Sequence, residues 1–148
     1  MAKIILDTNI IARAVASPQG LAAEILKFCI SPEHLLCTST FMLAELDRVL
    51  RYPRFHKIHG LTDSEVEDFV RSIQQVSLVV EVEGQSSAKV TRDKDDDPVI
   101  ETAIRTKAQY LCSADKDILA REVVEHCKAY GTQVLTDVKL ISLLRKKG

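Results

Sequence analysis

The apolar run Ile4-Ile5-Leu6 ends abruptly at Asp7. A short unbroken apolar run closed by a polar residue is the pattern of a strand buried on both faces of a parallel sheet. Parallel strands cannot be joined by a hairpin and need a crossover, usually a helix. The rest of the chain supplies both elements in alternation. Residues 35–38, the β-branched stretch 76–82, residues 110–112 and Val134-Leu135 read as further strands. Thr8-Asn9 can start a helical turn, and Ser17-Pro18 reads as an N-cap followed by proline at the first helical position. That second helix is expected to reach about residue 30, with Leu21, Ile25 and Phe28 on one face. Met42, Leu46, Val49 and Leu50 recur at helical spacing after Thr40. Thr62-x-x-Glu65 is a capping box ahead of the stripe Val66, Phe69, Val70 and Ile73. A polar loop follows through Gly84, Ser86 and Ser87. Asp97-Pro98 is an N-cap and first-turn proline for a helix to about residue 107, residues 116–130 are mostly helix ended by Gly131, and Thr136 caps the last helix. The expected fold class is α/β, a Rossmann-like three-layer α/β/α arrangement around a parallel sheet of about five strands. With no repeat, low-complexity tract or linker, residues 1–148 read as a single domain.

No apolar run approaches the roughly 20 residues of a membrane helix, and Ile4-Ile5-Leu6 is too short for a signal-peptide core. Cys29, Cys37, Cys112 and Cys127 are scattered among apolar neighbours, which reads as small core thiols in a reducing cytoplasm. Lys and Arg total 20 against 21 Asp and Glu, so net charge alone does not point to a polyanionic partner. An acidic site and a basic groove can cancel in such a sum.

Placed on this map, Asp7 ends the first strand and Asp115 follows the fourth. Asp97 starts the helix after the third strand, and Glu45 lies about one turn into the helix after the second. In open parallel sheets, sites form beyond the carboxyl ends of the strands. Four carboxylates brought to one such edge repel one another, and a divalent cation with a preference for oxygen, Mg²⁺ or Mn²⁺, resolves the conflict. Each acid also has a purely structural reading. Asp7 and Asp97 suit N-caps, Glu45 can pair with Arg48, and Asp115 and Asp117 suit a turn and a first helical turn. Within the run Asp93-Lys94-Asp95-Asp96-Asp97, Asp97 is the choice for the site because Pro98 holds it at a helix start, with Asp96 in reserve.

Ile5-Leu6-Asp7-Thr8-Asn9 resembles the strand-one signature of the PIN domain, a nuclease fold. The helix bearing Glu45 resembles that family's second acidic motif, Asp97-Pro98-Val99-Ile100-Glu101-Thr102-Ala103 its third, and Leu111-Cys112-Ser113-Ala114-Asp115-Lys116-Asp117 its fourth. The order and spacing match along nearly the whole chain, with Pro98 and Cys112-Ser113 as mild departures. The run 92–97 and Arg51-Tyr52-Pro53-Arg54 are similar to bacterial and archaeal members named as toxins of toxin–antitoxin pairs. The resemblance implies a cytoplasmic, Mg²⁺- or Mn²⁺-dependent endoribonuclease acting on single-stranded RNA, commonly a homodimer and often silenced by a small antitoxin. It implies that Asp7, Glu45, Asp97 and Asp115 are the catalytic and metal-binding acids, with Asp117 as an accessory acid. Asn9 would orient Asp7, and Ser113 would hydrogen-bond an acid or a water on the metal.

RNA approaching an acidic pocket needs flanking cations. Arg48, Arg51, Arg54, His56, Lys57 and His59 form the densest basic segment, with Tyr52 and Phe55 interleaved for base stacking. The four arginine and lysine side chains are the substrate-binding candidates, against the alternative of a solvated helix end and loop. His56 and His59 lack further ligands at zinc spacing. Two rival classes are a regulatory Mg²⁺-binding α/β domain, which leaves Glu45 unexplained, and a catalytically inactive PIN-fold scaffold, which usually shows missing acids. Within the enzyme class, a metal-dependent phosphatase or a DNA-flap nuclease are alternatives, and the compact length favours RNA.

Overall fold

A computed structural model describes residues 1–83 and 97–147, without the side chains of Asp97 and Lys147. The polar loop through Gly84, Ser86 and Ser87, and the acids up to Asp96, lie outside the described residues. The elements are β1 (Ala2–Leu6), α1 (Thr8–Ala16), α2 (Leu21–Cys29), β2 (His34–Ser39), α3 (Thr40–Leu50), α4 (Pro53–His59), α5 (Asp63–Val76), β3 (Ser77–Val80), α6 (Asp97–Thr106), β4 (Tyr110–Cys112), α7 (Arg121–Ala129), β5 (Gln133–Leu135) and α8 (Asp137–Lys147).

All strand pairs are parallel, and the sheet runs β3-β2-β1-β4-β5. Alternation within each strand sends side chains to two cores. Ile4, Leu6, Leu36, Tyr110 and Cys112 join α1, α2, α3, α5 and α8 on one face. Ile5, Cys37, Leu111 and Val134 join α6 and α7 on the other. This is the three-layer α/β/α architecture expected. Ile4, Ile5 and Leu6 are at most 1% exposed, and burial of each such side chain contributes about 1.5–3 kcal/mol. All four cysteines are free and buried. Burial pushes the Cys112 thiol up to about 12 and that of Cys127 up to about 11, so they pack as small hydrophobes.

Several boundaries differ from the sequence expectation. Ser17 closes α1, its backbone N–H bonding the Arg13 carbonyl, and Pro18 lies in the following turn. Helix α2 instead starts after Gly20, because the chain must turn between two packed helices before it can re-enter one. Asp97 is itself the first helical residue of α6. Residues 116–119 form turns, and α7 begins only at Arg121. The basic segment, to which the sequence reading assigns no element, holds α4, with Pro53 in its first turn, where a missing N–H costs nothing. The Thr62/Glu65 capping box is formed as expected.

Candidate active site at the β1–β4 crevice

Strand order reverses between β1 and β4, so the crevice beyond their carboxyl ends is the topological switch point, the usual ligand position in open α/β sheets. Leu6 pairs with Cys112, which puts Asp7 and Ser113 side by side one step further on. The Asp7 N–H donates to the Cys112 carbonyl at 2.9 Å, and the Ser113 N–H to the Leu135 carbonyl at 3.0 Å.

Asp7 is 5% exposed. Its Oδ1 accepts from the Thr8 N–H and its Oδ2 from the Ser113 hydroxyl, both at 2.8 Å. Ser113 Oγ in turn accepts the Asp115 N–H at 2.9 Å, which leaves the serine proton directed at Asp7. Asp115 Oδ1 accepts the Asp117 N–H at 2.9 Å. Ser113 therefore ties the Asp7 carboxylate, through its proton, to the Asp115 backbone, through its lone pair, while the Asp117 N–H holds the Asp115 carboxylate. Burial holds the Asp7 carboxyl above its ordinary range, against the lowering effect of the two hydrogen bonds, and the nearby Asp115 charge pushes it the same way. The hydroxyl of Thr8, next in the chain, is buried without a partner among the described residues.

Glu45 on α3 is 17% exposed, and its Oε2 lies 3.7 Å from Arg48 Nη2. Ser39 and Thr102, both fully buried, set the helices that carry Glu45 and Asp97. Ser39 caps α3 by accepting the Met42 N–H, and Thr102 Oγ1 lies 2.8 Å from Ser39 Oγ. The signals for this pair were an N-cap residue before an apolar stripe and a hydroxyl in phase with Val99 and Ala103.

Asn9, Arg13, Arg54, Phe55, Ala114 and Asp115 line a cavity of about 420 Å³. Asn9 thus stands exposed in the wall beside Asp115, while Asp7 is oriented by Thr8 and Ser113. Arg13 was not singled out from sequence; its signal was the i, i+4 spacing from Asn9 on α1. The basic segment separates into different employments. Arg54 borders the cavity, its guanidinium 5.0 Å from the Phe55 ring centroid. Phe55 is buried in the core with the Arg54 guanidinium over its ring, whereas Tyr52 is exposed. Arg51 faces Asp47 at 3.2 Å, Asp63 at 3.0 Å and Glu67 at 3.7 Å, tying α3 to α5. Lys57 and His56 are exposed on α4, and His59 braces its end by contacting the Leu50 carbonyl and accepting the Leu61 N–H.

Four carboxylates closed around one centre are not found among the described side chains, where no three His, Cys, Asp or Glu groups gather into a metal site. The side chain of Asp97 lies outside the described residues. What remains is the Asp7–Asp115 pair, held by neutral donors and near enough for the Asp115 charge to raise the Asp7 pKa. That set fits a divalent cation, since Mg²⁺ is commonly bound through one or two carboxylates with water and substrate phosphate completing its shell.

The site and topology define an α/β protein with an acidic centre at the switch point. The chain belongs to the PIN domain family, whose sequence profile matches residues 3–117. The PIN domain is a nuclease-type family whose members typically use divalent metals. The matched span contains Asp7, Glu45, Asp97, Asp115 and Asp117. The chain is also similar to the uncharacterized protein MJ1680 of Methanocaldococcus jannaschii, at 25% identity over 118 residues, covering 80% of this chain and 74% of that protein. Among the described residues no helix is long and apolar enough to cross a membrane.

Proposed function

We propose that this protein is a Mg²⁺- or Mn²⁺-dependent endoribonuclease that hydrolyses single-stranded RNA. The observation that carries the reading is the relay from Asp117 through Asp115 and Ser113 to Asp7, which presents two fixed carboxylates at the switch point. Asp7 and Asp115 would hold the cation, with Asp97 the further candidate. Bound there, the cation supplies Lewis acidity and positive charge against a phosphodiester. Ser113 would keep the Asp7 carboxylate aimed and anchor the Asp115 backbone, Asp117 would fix the Asp115 carboxylate through its N–H, and Glu45 would accept a proton from the attacking water or help to hold metal. RNA is preferred over DNA because the sequence resembles the compact toxin-like PIN proteins. The same resemblance supports a toxin role, cytoplasmic, with a small antitoxin as partner and a homodimer as the assembly.

The test is cleavage of a labelled single-stranded RNA with Mn²⁺, Mg²⁺ or EDTA by wild type and Asp7→Asn. Cleavage that requires metal and disappears in the variant is expected. Equal cleavage by both proteins, or none with either metal, sinks the reading. Induction in cells tests the toxin role, where wild type should arrest growth and Asp7→Asn should not.

A further inference from the structure

Arg13 and Phe55 bound the cavity beside Asp115 on one flank. Both residues also line a second hollow of about 400 Å³, whose other walls include Ala16, Leu21, Ala22, Ile58 and Asp137. The first chamber carries two guanidinium groups, Arg13 from α1 and Arg54 from α4; the second is mainly aliphatic. Arg13 meets Asp137 Oδ2 through one contact at 3.6 Å and is half exposed, so most of its five donors remain open. Arg54 is held over Phe55 and lines the same opening. Two guanidiniums bordering one chamber match a phosphodiester, which takes Arg donors in a bidentate fork. An aliphatic hollow one step away matches a planar base, and each chamber has the size of a ligand pocket.

We infer that these adjoining chambers, which share Arg13 and Phe55, form a nucleotide subsite. Arg13 and Arg54 grip a backbone phosphate next to the one being cut, and the attached base enters the hollow between Leu21, Ala22 and Ile58. The carboxylate of Asp137, at the rim, accepts from a base amino group and favours bases that carry one. The choice of an RNA nucleotide as occupant rests on the nuclease reading; the phosphate and base chemistry comes from the walls. Exposed Ile58, 61% accessible on a charged helix, is thereby given a covering partner.

The experiment measures binding of AMP, UMP and ribose 5-phosphate to the metal-free Asp7→Asn protein, by titration calorimetry or NMR. Both nucleotides should bind more tightly than ribose 5-phosphate, and AMP, with its amino group, more tightly than UMP. Arg13→Gln and Arg54→Gln should each weaken all three ligands about tenfold, as the loss of a charge-assisted hydrogen bond does. Ala16→Phe, which fills the hollow, should erase the advantage of the nucleotides while leaving ribose 5-phosphate unchanged. Asp137→Asn removes the Arg13 ion pair without removing Arg13; it should leave ribose 5-phosphate bound and reduce the preference for AMP. Ribose 5-phosphate binding as tightly as the nucleotides would overturn the base hollow, and indifference to both arginine substitutions would overturn the phosphate grip. If wild type cleaves RNA while the arginine variants bind and cleave like their parents, the subsite fails and the nuclease stands. Nucleotide binding that follows these variants in a protein that cleaves nothing keeps the subsite and removes the nuclease.

Discussion

Two groups of acids in this protein are built on opposite terms. At the β1–β4 crevice, Asp7 is buried, accepts hydrogen bonds from the neutral donors of Thr8 and Ser113, and lies close enough to Asp115 for the two charges to oppose each other. Between α3 and α5, Asp47, Asp63 and Glu67 surround the single guanidinium of Arg51, all of them at least partly in solvent. The second arrangement satisfies itself. The first is aimed and hydrogen-bonded, with no ion pair to Asp7 or Asp115 among the described residues, so it is suited to gain from a bound cation. Carboxylates that a protein positions without neutralising are candidates for function, because burial and like charge both work against their ionised form.

Ser113 offers the sharpest way to break this contrast. Ser113→Ala removes the proton donated to Asp7 and the acceptor of the Asp115 N–H in one step. Losing a group that orients ligands typically costs 10–100-fold in metal affinity or activity, so RNA cleavage should fall by about that factor and recover in part at high Mn²⁺. Unchanged cleavage would mean the relay orients nothing that matters. Metal binding should also register in stability. At a hundredfold excess over Kd a ligand adds about 2.7 kcal/mol, so Mn²⁺ should raise the wild-type Tm by roughly 5–10 °C in a chain of this size. Asp7→Asn should show little of that gain, whereas a shift of equal size in both proteins would place the ion elsewhere.

A smaller effect should appear without metal. Burial raises the Asp7 pKa in the folded chain above its unfolded value. Its contribution is therefore fully present below the unfolded pKa and is lost as pH rises through the folded one. At neutral pH in EDTA, Asp7→Asn should melt higher than wild type, by about 2–4 °C for each kcal/mol recovered, and the gap should close in acid. An N-cap alone predicts no such gain, because Asn caps a helix about as well as Asp. Equal melting at neutral pH would reduce Asp7 to its capping role.

The strands, and the places of Asp7 and Asp115 just beyond the ends of β1 and β4, were legible because both are written in local pattern. Residues 110–112 and the start of α3 at Thr40 stand where apolar runs and Ser39 put them, and the ends of β1 and β4 fix Asp7 and Ser113 by register alone. What stayed hidden depends on packing between elements distant in sequence. Nothing local distinguishes Arg54, at the cavity, from Arg51, three residues earlier and enclosed by acids from α5. Nor does periodicity reveal that Phe55 turns inward while Tyr52 stays out, since both lie in a short segment with a single buried position. Arg13 is hidden in the same way, because an isolated cation on an amphipathic helix reads as solvated and only the packing of α4 beside α1 sets it at a cavity.

Arg51 supplies the least disruptive test and the cleanest contrast with the crevice. Its guanidinium is held by Asp47 and Asp63, chiefly by the Asp47 carboxylate, which keeps it firmly protonated. Exposed ion pairs of this kind contribute little and are screened by salt. Arg51→Gln should lower Tm by less than Asp7→Asn raises it, with the loss shrinking as NaCl is added. RNA cleavage should stay near wild type, although Arg51 belongs to the segment that sequence alone offers as a substrate-binding surface. A clear loss of cleavage with Tm intact would show that RNA draws Arg51 out of its acidic surround. The contrast between self-satisfied and ligand-seeking charges would then fail at the place where the geometry makes it strongest.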